Sequence, residues 1–278
     1  MLGESPAFLS LLEEASRAAA VDKPVLVIGE RGTGKELIAA RLHYLSPRWQ
    51  GPLVKLNCAT LTEALLETEL FGHEAGAFTG ASRRHLGRFE QADGGTLFPD
   101  ELATVSMRVQ ETILRAVEYG QFEPVGGSET LKVDVRIVGA TNRDLPAAVR
   151  AGQFRADLLD RLAFDVLTVP PLRARTGDIL TLAEHFAVNI SRELGREFFA
   201  GFTERARTAL VQYAWPGNVR ELKNVVGRSV HRAARGAPVD VIVFDPFVSA
   251  FRPPTQVAPE SATEAAPGKS IDLPCDLK

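Results

Sequence analysis

Cysteine is scarce in this chain, and long apolar runs are absent. The two cysteines among 278 residues, Cys58 and Cys275, lie far apart and fit no metal-ligand spacing. No stretch approaches the ~20 apolar residues that crossing a bilayer requires, and residues 1–17 are mixed and acidic, unlike a signal peptide. These absences exclude a membrane span and a cysteine metal site, and they predict a reduced, cytoplasmic protein.

The chain also lacks a surplus of positive charge. Its 32 Lys and Arg residues stand against 35 Asp and Glu, a net charge of −3. Duplex-binding domains usually carry a positive surplus that displaces counterions from phosphate, so tight DNA binding by this chain alone is not expected. The 45% hydrophobic and 24% charged residues are typical of a globular protein, and the length allows one large domain or a large and a small one.

Short apolar runs alternate with helical patterns through the first 171 residues. Five such runs read as strands, and helices are predicted between them, notably over 36–45, 105–119 and 145–150. Strands alternating with helices predict an α/β fold, a parallel sheet covered on both faces. The predicted strands are 24–28, 53–56, 95–98, 135–140 and 164–169.

After Pro171 the pattern becomes entirely helical. Apolar residues at helical spacing predict helices over 178–194, 203–213 and 218–235, and therefore a small helical subdomain at about 172–245 that follows an α/β subdomain at 1–171. From Asp245 onward, six of the 17 prolines fall within 34 residues. Such a stretch buries too little apolar surface to offset its chain entropy, so 246–278 is predicted to be a linker.

A glycine-rich segment between the first strand and the next helix fits the Walker A pattern G-x-x-x-x-G-K. Its glycines let backbone N–H groups converge on a phosphate, and the helix N-terminus favours the negative charge. A glycine-rich turn without a ligand is the weaker alternative. Glu36 stands where most such loops have the hydroxyl that holds magnesium. The loop residues predicted to bind ATP are Gly29, Glu30, Arg31, Gly32, Thr33, Gly34, Lys35 and Glu36.

A second apolar strand ends in two carboxylates, roughly 65 residues after the Walker A segment. Asp100 is suited to hold a hydrated Mg²⁺, and Glu101 to polarise the attacking water. Acidic residues at a strand end often only cap helices, but the Walker A segment makes the pair a strong signal. Pro99 suggests that this strand ends at Phe98, because proline lacks a ladder donor. The accompanying residues predicted to line the ATP site are Ala92, Asp93, Gly94, Gly95, Thr96, Leu97, Phe98 and Pro99.

Two further segments carry candidate nucleotide-sensing residues. Thr141 and Asn142 end the fourth predicted strand, where ligands of such sheets gather, and Asn142 is a candidate for sensing the γ-phosphate. An asparagine that merely starts a turn is the alternative. Arg155 and Arg161 are candidates for an arginine acting on the γ-phosphate of a neighbouring subunit. Solvated ion pairs on a helix are the alternative for both arginines.

The hexapeptide GAFTGA occupies residues 76–81. Together with the segments GERGTGKE, GGTLFPDE, FRADLLDRL and WPGNVREL, it makes the chain resemble the bacterial enhancer-binding activators of sigma-54 RNA polymerase, which are AAA+ ATPases. The resemblance runs from about Leu2 to Pro246, and GAFTGA is highly specific within that class.

The resemblance implies a five-stranded αβα sandwich with a helical lid, ATP and Mg²⁺ as ligands, and a ring, expected to be a hexamer. By the same resemblance Asn57 pairs with Glu101, Arg155 and Arg161 are intersubunit fingers, and Arg220 is a lid arginine that senses nucleotide. A plain surface arginine is the alternative for Arg220. The residues implied to contact the sigma factor of the polymerase holoenzyme are Gly76, Ala77, Phe78, Thr79, Gly80 and Ala81. A Phe78 packed in the core is the alternative on sequence grounds.

Partners beyond the polymerase are also implied by the resemblance. An inhibitory regulator is expected near Trp49, although half-buried packing of that side chain is equally open. Enhancer DNA is expected to be bound by a C-terminal helix-turn-helix that follows Lys278. No phosphoacceptor module is expected, because the ATPase begins within a few residues of Met1.

Two other functions remain open from the residues themselves. One is a different AAA+ remodelling ATPase, such as a chaperone or chelatase motor, which shares the Walker segments but has no use for GAFTGA. The other is a nucleotide-binding regulator without hydrolysis, in which Pro99 and Glu36 have disabled the site.

Overall fold

A parallel sheet of five strands forms the larger part of the fold. The computed structural model of the chain describes residues 1–248 and residue 251. The predicted linker therefore lies outside the described residues, except for 246–248 and 251. The sheet order is β2-β3-β6-β1-β7, and every neighbouring pair is parallel. Its strands are β1 (Val25–Ile28), β2 (Leu53–Asn57), β3 (Thr96–Asp100), β6 (Arg136–Thr141) and β7 (Asp165–Thr168).

The predicted α/β fold with a five-stranded parallel sheet is confirmed, and one strand end is corrected. The strand predicted to end at Phe98 runs through Pro99 to Asp100, with Pro99 opposite Leu56 of β2. Its register with β6 ends at Leu97, so the missing N–H falls where that pairing has already stopped. A two-stranded antiparallel sheet, β4 (Gln121–Phe122) with β5 (Leu131–Lys132), was not expected from the sequence.

Helices cover both faces of the sheet and then form the C-terminal part. Several begin where a short polar side chain accepts a hydrogen bond from a backbone N–H of the first turn, as Asp144 does from Ala147 (2.9 Å) and Thr203 from Ala206 (3.2 Å). In the described part of the chain they are α1 (Pro6–Ala19), α2 (Lys35–Tyr44), α3 (Glu63–Phe71), α4 (Arg88–Gln91), α5 (Met107–Tyr119), α6 (Leu145–Arg150), α7 (Ala156–Leu162), α8 (Gly177–Glu193), α9 (Glu204–Gln212) and α10 (Asn218–Arg232).

Two apolar clusters lie on opposite faces of the sheet. Successive strand residues alternate between them: Leu26 and Ile137 belong to one cluster, Val27 and Val138 to the other. Because both faces are covered, β6 is buried at all six positions. The first cluster packs against α3, α5 and α7, and the second against α1 and α2. The layers are therefore those of an αβα sandwich.

The helices after β7 belong to the same compact unit, which spans Met1–Val243. α10 packs on α8, and Trp215 in the turn before α10 is fully buried, with its indole N–H donating to Leu210 O (2.8 Å). Of the second unit, Phe244–Lys278, only 244–248 and 251 are described. Within the described residues, none of the helices has the length and apolar character that a bilayer crossing requires.

Candidate functional site

The glycine-rich loop lies between β1 and α2, at the carboxyl edge of the sheet. Lys35 is the first residue of α2, and its Nζ donates to Gly29 O (2.9 Å) and Glu30 O (3.4 Å) of the loop. Gly32 (φ +77°) and Gly34 (φ +99°) hold left-handed conformations that favour glycine. The loop therefore curls over the N-terminus of α2, where backbone N–H groups and the helix dipole attract phosphate.

The two carboxylates stand at the end of β3, two strands away from β1 in the sheet. Asp100 accepts a hydrogen bond from the backbone N–H of Glu101 (2.9 Å). Glu101 has φ +55°, an uncommon conformation for a residue with a side chain. Its carboxylate lies 3.7 Å from Nε of Arg31 in the glycine-rich loop. Tertiary structure thus joins the two Walker segments through this ion pair.

Asn57 ends β2 directly opposite Asp100 in the parallel register. Its Oδ1 accepts from Ala59 N (3.0 Å) and caps the short helix Cys58–Thr60. Within residues 1–248, no hydrogen bond joins Asn57 to Glu101, whose carboxylate faces Arg31 instead. The structure places the predicted pair on adjacent strand ends without pairing them.

Thr141 ends β6, the strand between β3 and β1. It is fully buried, and its carbonyl accepts from Gly29 N (3.2 Å), which fixes the start of the glycine-rich loop. Its hydroxyl accepts from Arg143 N (3.0 Å). Asn142 lies next to it in an exposed turn. The strand end is therefore part of the loop's support.

The start of α10 contacts the glycine-rich loop. The backbone N–H of Arg220 donates to Gly32 O (3.3 Å). Asn218, buried and with φ +52°, donates from Nδ2 to Glu30 Oε2 (3.0 Å) and Arg31 O (3.1 Å), while its Oδ1 accepts from Leu172 N (2.8 Å). The sequence patterns point to Arg220 but not to Asn218. The Pro-Gly-Asn turn before the helix was the available signal.

A second contact between the loop and the helical part is ionic. Arg173 binds the Glu30 carboxylate with both of its terminal nitrogens (2.8 and 2.5 Å). The hydrogen bonds from Arg173 and then Asn218 lower the pKa of Glu30 to about 2. Glu30 is therefore ionised at neutral pH and joins the loop to residues more than 140 positions away.

An apolar cavity of about 390 Å³ opens beside Thr33 and Gly34. A larger and more polar cavity, about 520 Å³, lies between α3, α5 and the β4–β5 sheet, and it includes no Walker residue. The smaller one has the size and lining of a site for a flat apolar group next to the phosphate loop. Its walls include Met1, Leu2, Phe8, Leu37, Phe186 and Val219.

The two candidate finger arginines are engaged with carboxylates of their own chain. Arg155 binds Asp157 (2.8 and 3.0 Å), which raises the pKa of Arg155 and lowers that of Asp157. Arg161 binds Glu118 (2.5 Å). Both side chains are partly exposed, at 30% and 55%.

The segment 76–81 forms a turn between α3 and α4. Gly76 N donates to Ala81 O (2.7 Å), and Ala81 N donates to Phe78 O (3.0 Å). Gly76 and Gly80 have positive φ and open space around them. Phe78 is 46% exposed, and its ring meets the edge of His73 at 4.8 Å between centroids. Phe78 is therefore not a core residue.

Trp49 is 56% exposed in the loop after α2. Cys58 is buried, and burial raises the pKa of its thiol to about 12. Glu36 is paired with Lys55 (2.7 Å). Among the described residues, no group of three or more His, Cys, Asp or Glu side chains that could hold a metal ion occurs.

A glycine-rich loop after β1, carboxylates at the end of β3 and a helical lid over the loop define a P-loop ATPase of the AAA+ class. The chain matches the family described as Sigma-54 interaction domain over residues 1–168, and the one described as AAA+ ATPase lid domain over residues 173–261. It therefore belongs to the sigma-54 activator family.

Three similar proteins support this assignment. The chain is 62% identical over 274 residues to the Psp operon transcriptional activator of Escherichia coli (strain K12), covering 98% of this chain and 84% of that protein. It is 52% identical to the Nif-specific regulatory protein of Azotobacter vinelandii, covering 82% of this chain and 44% of that one. NtrX from Brucella abortus, solved in complex with ATP, superposes with a TM-score of 0.80 at 36% identity, covering 86% of this chain and 53% of that chain.

Proposed function

We propose that this protein hydrolyses ATP to remodel the closed complex of sigma-54 RNA polymerase, and that it activates phage-shock genes under membrane stress. The observation that carries the proposal is the exposed Phe78 on a glycine-flanked turn of the same α/β unit that holds the phosphate loop. The 62% identity to the Psp operon activator supports the choice of target genes.

The proposed chemistry assigns each residue at the sheet edge one task. Lys35 and the loop N–H groups bind the outer phosphates, and Glu101 orients and polarises the attacking water. Asp100 holds hydrated Mg²⁺, which when bound supplies neutralisation of the phosphate charge. Thr141 supports the loop, and Asn142 at the same strand end senses the γ-phosphate. The apolar cavity beside Thr33 takes the base.

Communication with the turn at 76–81 is proposed to begin at the carboxyl ends of β2 and β3. Asn57 and Asp100 are register partners, and Glu101 is held by Arg31 at 3.7 Å. Phosphate bound against Arg31 competes for that guanidinium and frees the Glu101 carboxylate to meet Asn57. A shift of β2 is passed to α3 and so to Phe78 and Thr79, which contact the sigma factor.

The working assembly is proposed to be a ring, expected to be a hexamer, of subunits divided near residue 171 into an α/β part and a lid. Arg155 or Arg161 leaves its own carboxylate partner and stabilises charge at the γ-phosphate of the neighbour, while Arg220 senses nucleotide from the lid. Exposed ion pairs are weak, so either arginine can exchange its carboxylate partner at little cost.

Two further partners are proposed. Trp49, exposed beside Arg48, fits a regulatory protein that inhibits the ATPase. Arg48 itself is bound by Asp22 and Asp134, each at 2.7 Å, which gives the loop a fixed base. Enhancer DNA is proposed to require a further DNA-binding module, because this chain has a net charge of −3.

The turn at 76–81 is tested by Phe78→Ala. ATP-dependent open-complex formation on a sigma-54 promoter is expected to fall by more than about tenfold, because an exposed aromatic anchor is removed. ATP hydrolysis by the variant is expected to stay within about twofold of the parent, since Phe78 lies outside the phosphate site.

The control is Phe198→Ala, which removes another exposed phenylalanine (61%) outside this turn. Unchanged open-complex formation by Phe78→Ala would count against the polymerase target and favour a different AAA+ remodeller.

A further inference from the structure

A buried carboxylate at the start of α8 holds the N-terminal segment of the chain. Asp178 is 1% exposed, and its Oδ1 accepts from Glu4 N (2.7 Å) and Ser5 N (2.8 Å). Its Oδ2 accepts from the Ser5 hydroxyl (2.7 Å). A buried carboxylate is costly unless such bonds satisfy it. The contact therefore fixes residues 4 and 5 against the first turn of the helix.

The two elements joined by Asp178 both line the cavity beside the phosphate loop. Met1 and Leu2 precede the held segment and line the cavity, while Leu182, His185 and Phe186 line it from α8. Gly3 between them is closely packed, because a Cβ there would lie 2.5 Å from Phe8 Cδ1 and 2.9 Å from Asp178 Oδ2.

The same turn also reaches the phosphate loop. Arg175 is 3% exposed, donates to Thr33 O (3.1 Å), and stacks its guanidinium 5.0 Å from the centre of the Phe8 ring. Its burial lowers its pKa, and the charge of Asp178 opposes that effect. Arg175 therefore touches the loop on one side, and Asp178 touches the N-terminal segment on the other.

We propose that Asp178 is a positioning residue for the nucleotide base. It does not contact the nucleotide; it holds Met1 and Leu2 in place, so that they and α8 close on the base while the loop binds the phosphates. The proposal rests on the proposed function in one respect, that ATP binds with its base in the cavity of about 390 Å³.

The test uses the full chain with Asp178→Asn and Leu2→Ala, and compares ATP with inorganic tripolyphosphate, a competitor that has no base. Both variants are expected to raise KM for ATP about tenfold, the effect of losing a charge-assisted hydrogen bond or a packed side chain. The inhibition constant of tripolyphosphate and kcat at saturating ATP are expected to change by less than about twofold. Ser5→Ala, which keeps both backbone bonds to Asp178, is expected to raise KM by only about threefold.

Glu193→Ala, an exposed carboxylate at the far end of α8, is the matched control and should leave all three constants unchanged. Equal weakening of ATP and tripolyphosphate, or a fall in kcat at unchanged KM, overturns the positioning role. If Asp178→Asn does not fold, Leu2→Ala and Ser5→Ala decide by the same criterion. Failure of the parent chain to bind ATP would instead contradict the proposed function itself.

Discussion

The side chains at the carboxyl edge of the sheet differ in how they are held. Lys35 is 7% exposed and hydrogen-bonded to two loop carbonyls, whereas Glu101, at 9% exposure, is held by a 3.7 Å contact to an exposed arginine in a strained backbone conformation. A strained residue at a strand end is often one whose side chain has to be aimed. Because this contact to Arg31 is long, Glu101 is held weakly enough to change partner, as its proposed role in polarising water requires.

Glu101→Ala is expected to lower steady phosphate release by about 10²-fold or more, because it removes the carboxylate proposed to polarise the attacking water. ATP binding, measured with a fluorescent analogue, is expected to persist. Glu13→Ala on the outer face of α1 serves as the control. Undiminished phosphate release by Glu101→Ala would remove this residue from the chemistry, and an inactive parent would favour the regulator without hydrolysis.

Glu30 allows a prediction about pH. Its pKa falls from 4.5 to about 2 in the folded protein, so its bond to Arg173 contributes stability above pH 4.5 and loses it as the pH falls toward 2. The Glu30 side chain is 42% exposed, so solvent screens the pair and the contribution is at most about 1 kcal/mol. The difference in unfolding free energy between the parent and Glu30→Gln should be constant from pH 5 to 8 and shrink below pH 4.5. Urea titrations at each pH measure it, and a difference that grows on acidification would contradict the assignment.

At the scale of elements, the phosphate loop and α10 are packed backbone against backbone. A Cβ on Gly32 would lie 2.4 Å from Gly217 O and 3.0 Å from Arg220 Cβ. Since φ at Gly32 is +77°, any side chain there is both strained and in collision. α10 can pack this closely against the loop only because Gly32 has no side chain.

Gly32→Ala is therefore expected to weaken ATP binding at least about tenfold and to lower the unfolding free energy by about 1–3 kcal/mol. Gly177→Ala is the matched control, because a Cβ there meets open space at the first turn of α8. It is expected to leave ATP binding unchanged and to raise stability by at most about 1 kcal/mol. Calorimetry measures the ATP affinity of each variant, and thermal unfolding measures its stability. Equal affinity and equal stability of the two variants would refute the close packing at Gly32.

At the scale of the whole molecule, the candidate finger arginines Arg155 and Arg161 are proposed to act on a neighbouring subunit. Arg155 and Arg161 bind carboxylates of their own chain on α7 and α5. If either one acts on a neighbour, two inactive variants complement each other when mixed. One variant has an intact site and no finger, and the other has a finger and no catalytic carboxylate.

Mixing Arg161→Ala with Glu101→Ala is expected to restore part of the ATPase activity that each lacks alone, and the same holds for Arg155→Ala if it is the finger. The recovered activity should rise with protein concentration, because assembly is required. Mixing Glu101→Ala with a variant that lacks both Glu101 and the arginine is the control. Absence of recovery with both arginines would argue against action between subunits.

Local sequence was enough for much of the fold and part of the site. Apolar periodicity, glycine conformation and helix starts are short-range properties, so consecutive residues alone predict them. They predict the strand before Gly29, the loop to Lys35, the strand ending near Asp100 and the turn around Phe78. The α/β class followed from their alternation along the chain.

Only the tertiary structure decided which distant residues meet. Asn218 contacts Glu30 across 188 positions, Arg173 reaches the same carboxylate across 143, and Asp178 holds Ser5 across 173. The extension of β3 through Pro99 and the exposure of Phe78 were settled in the same way, by neighbours from other parts of the chain. Such contacts leave no periodic trace in the sequence, since they depend on how the elements pack and on the cost of burying each polar group without a partner.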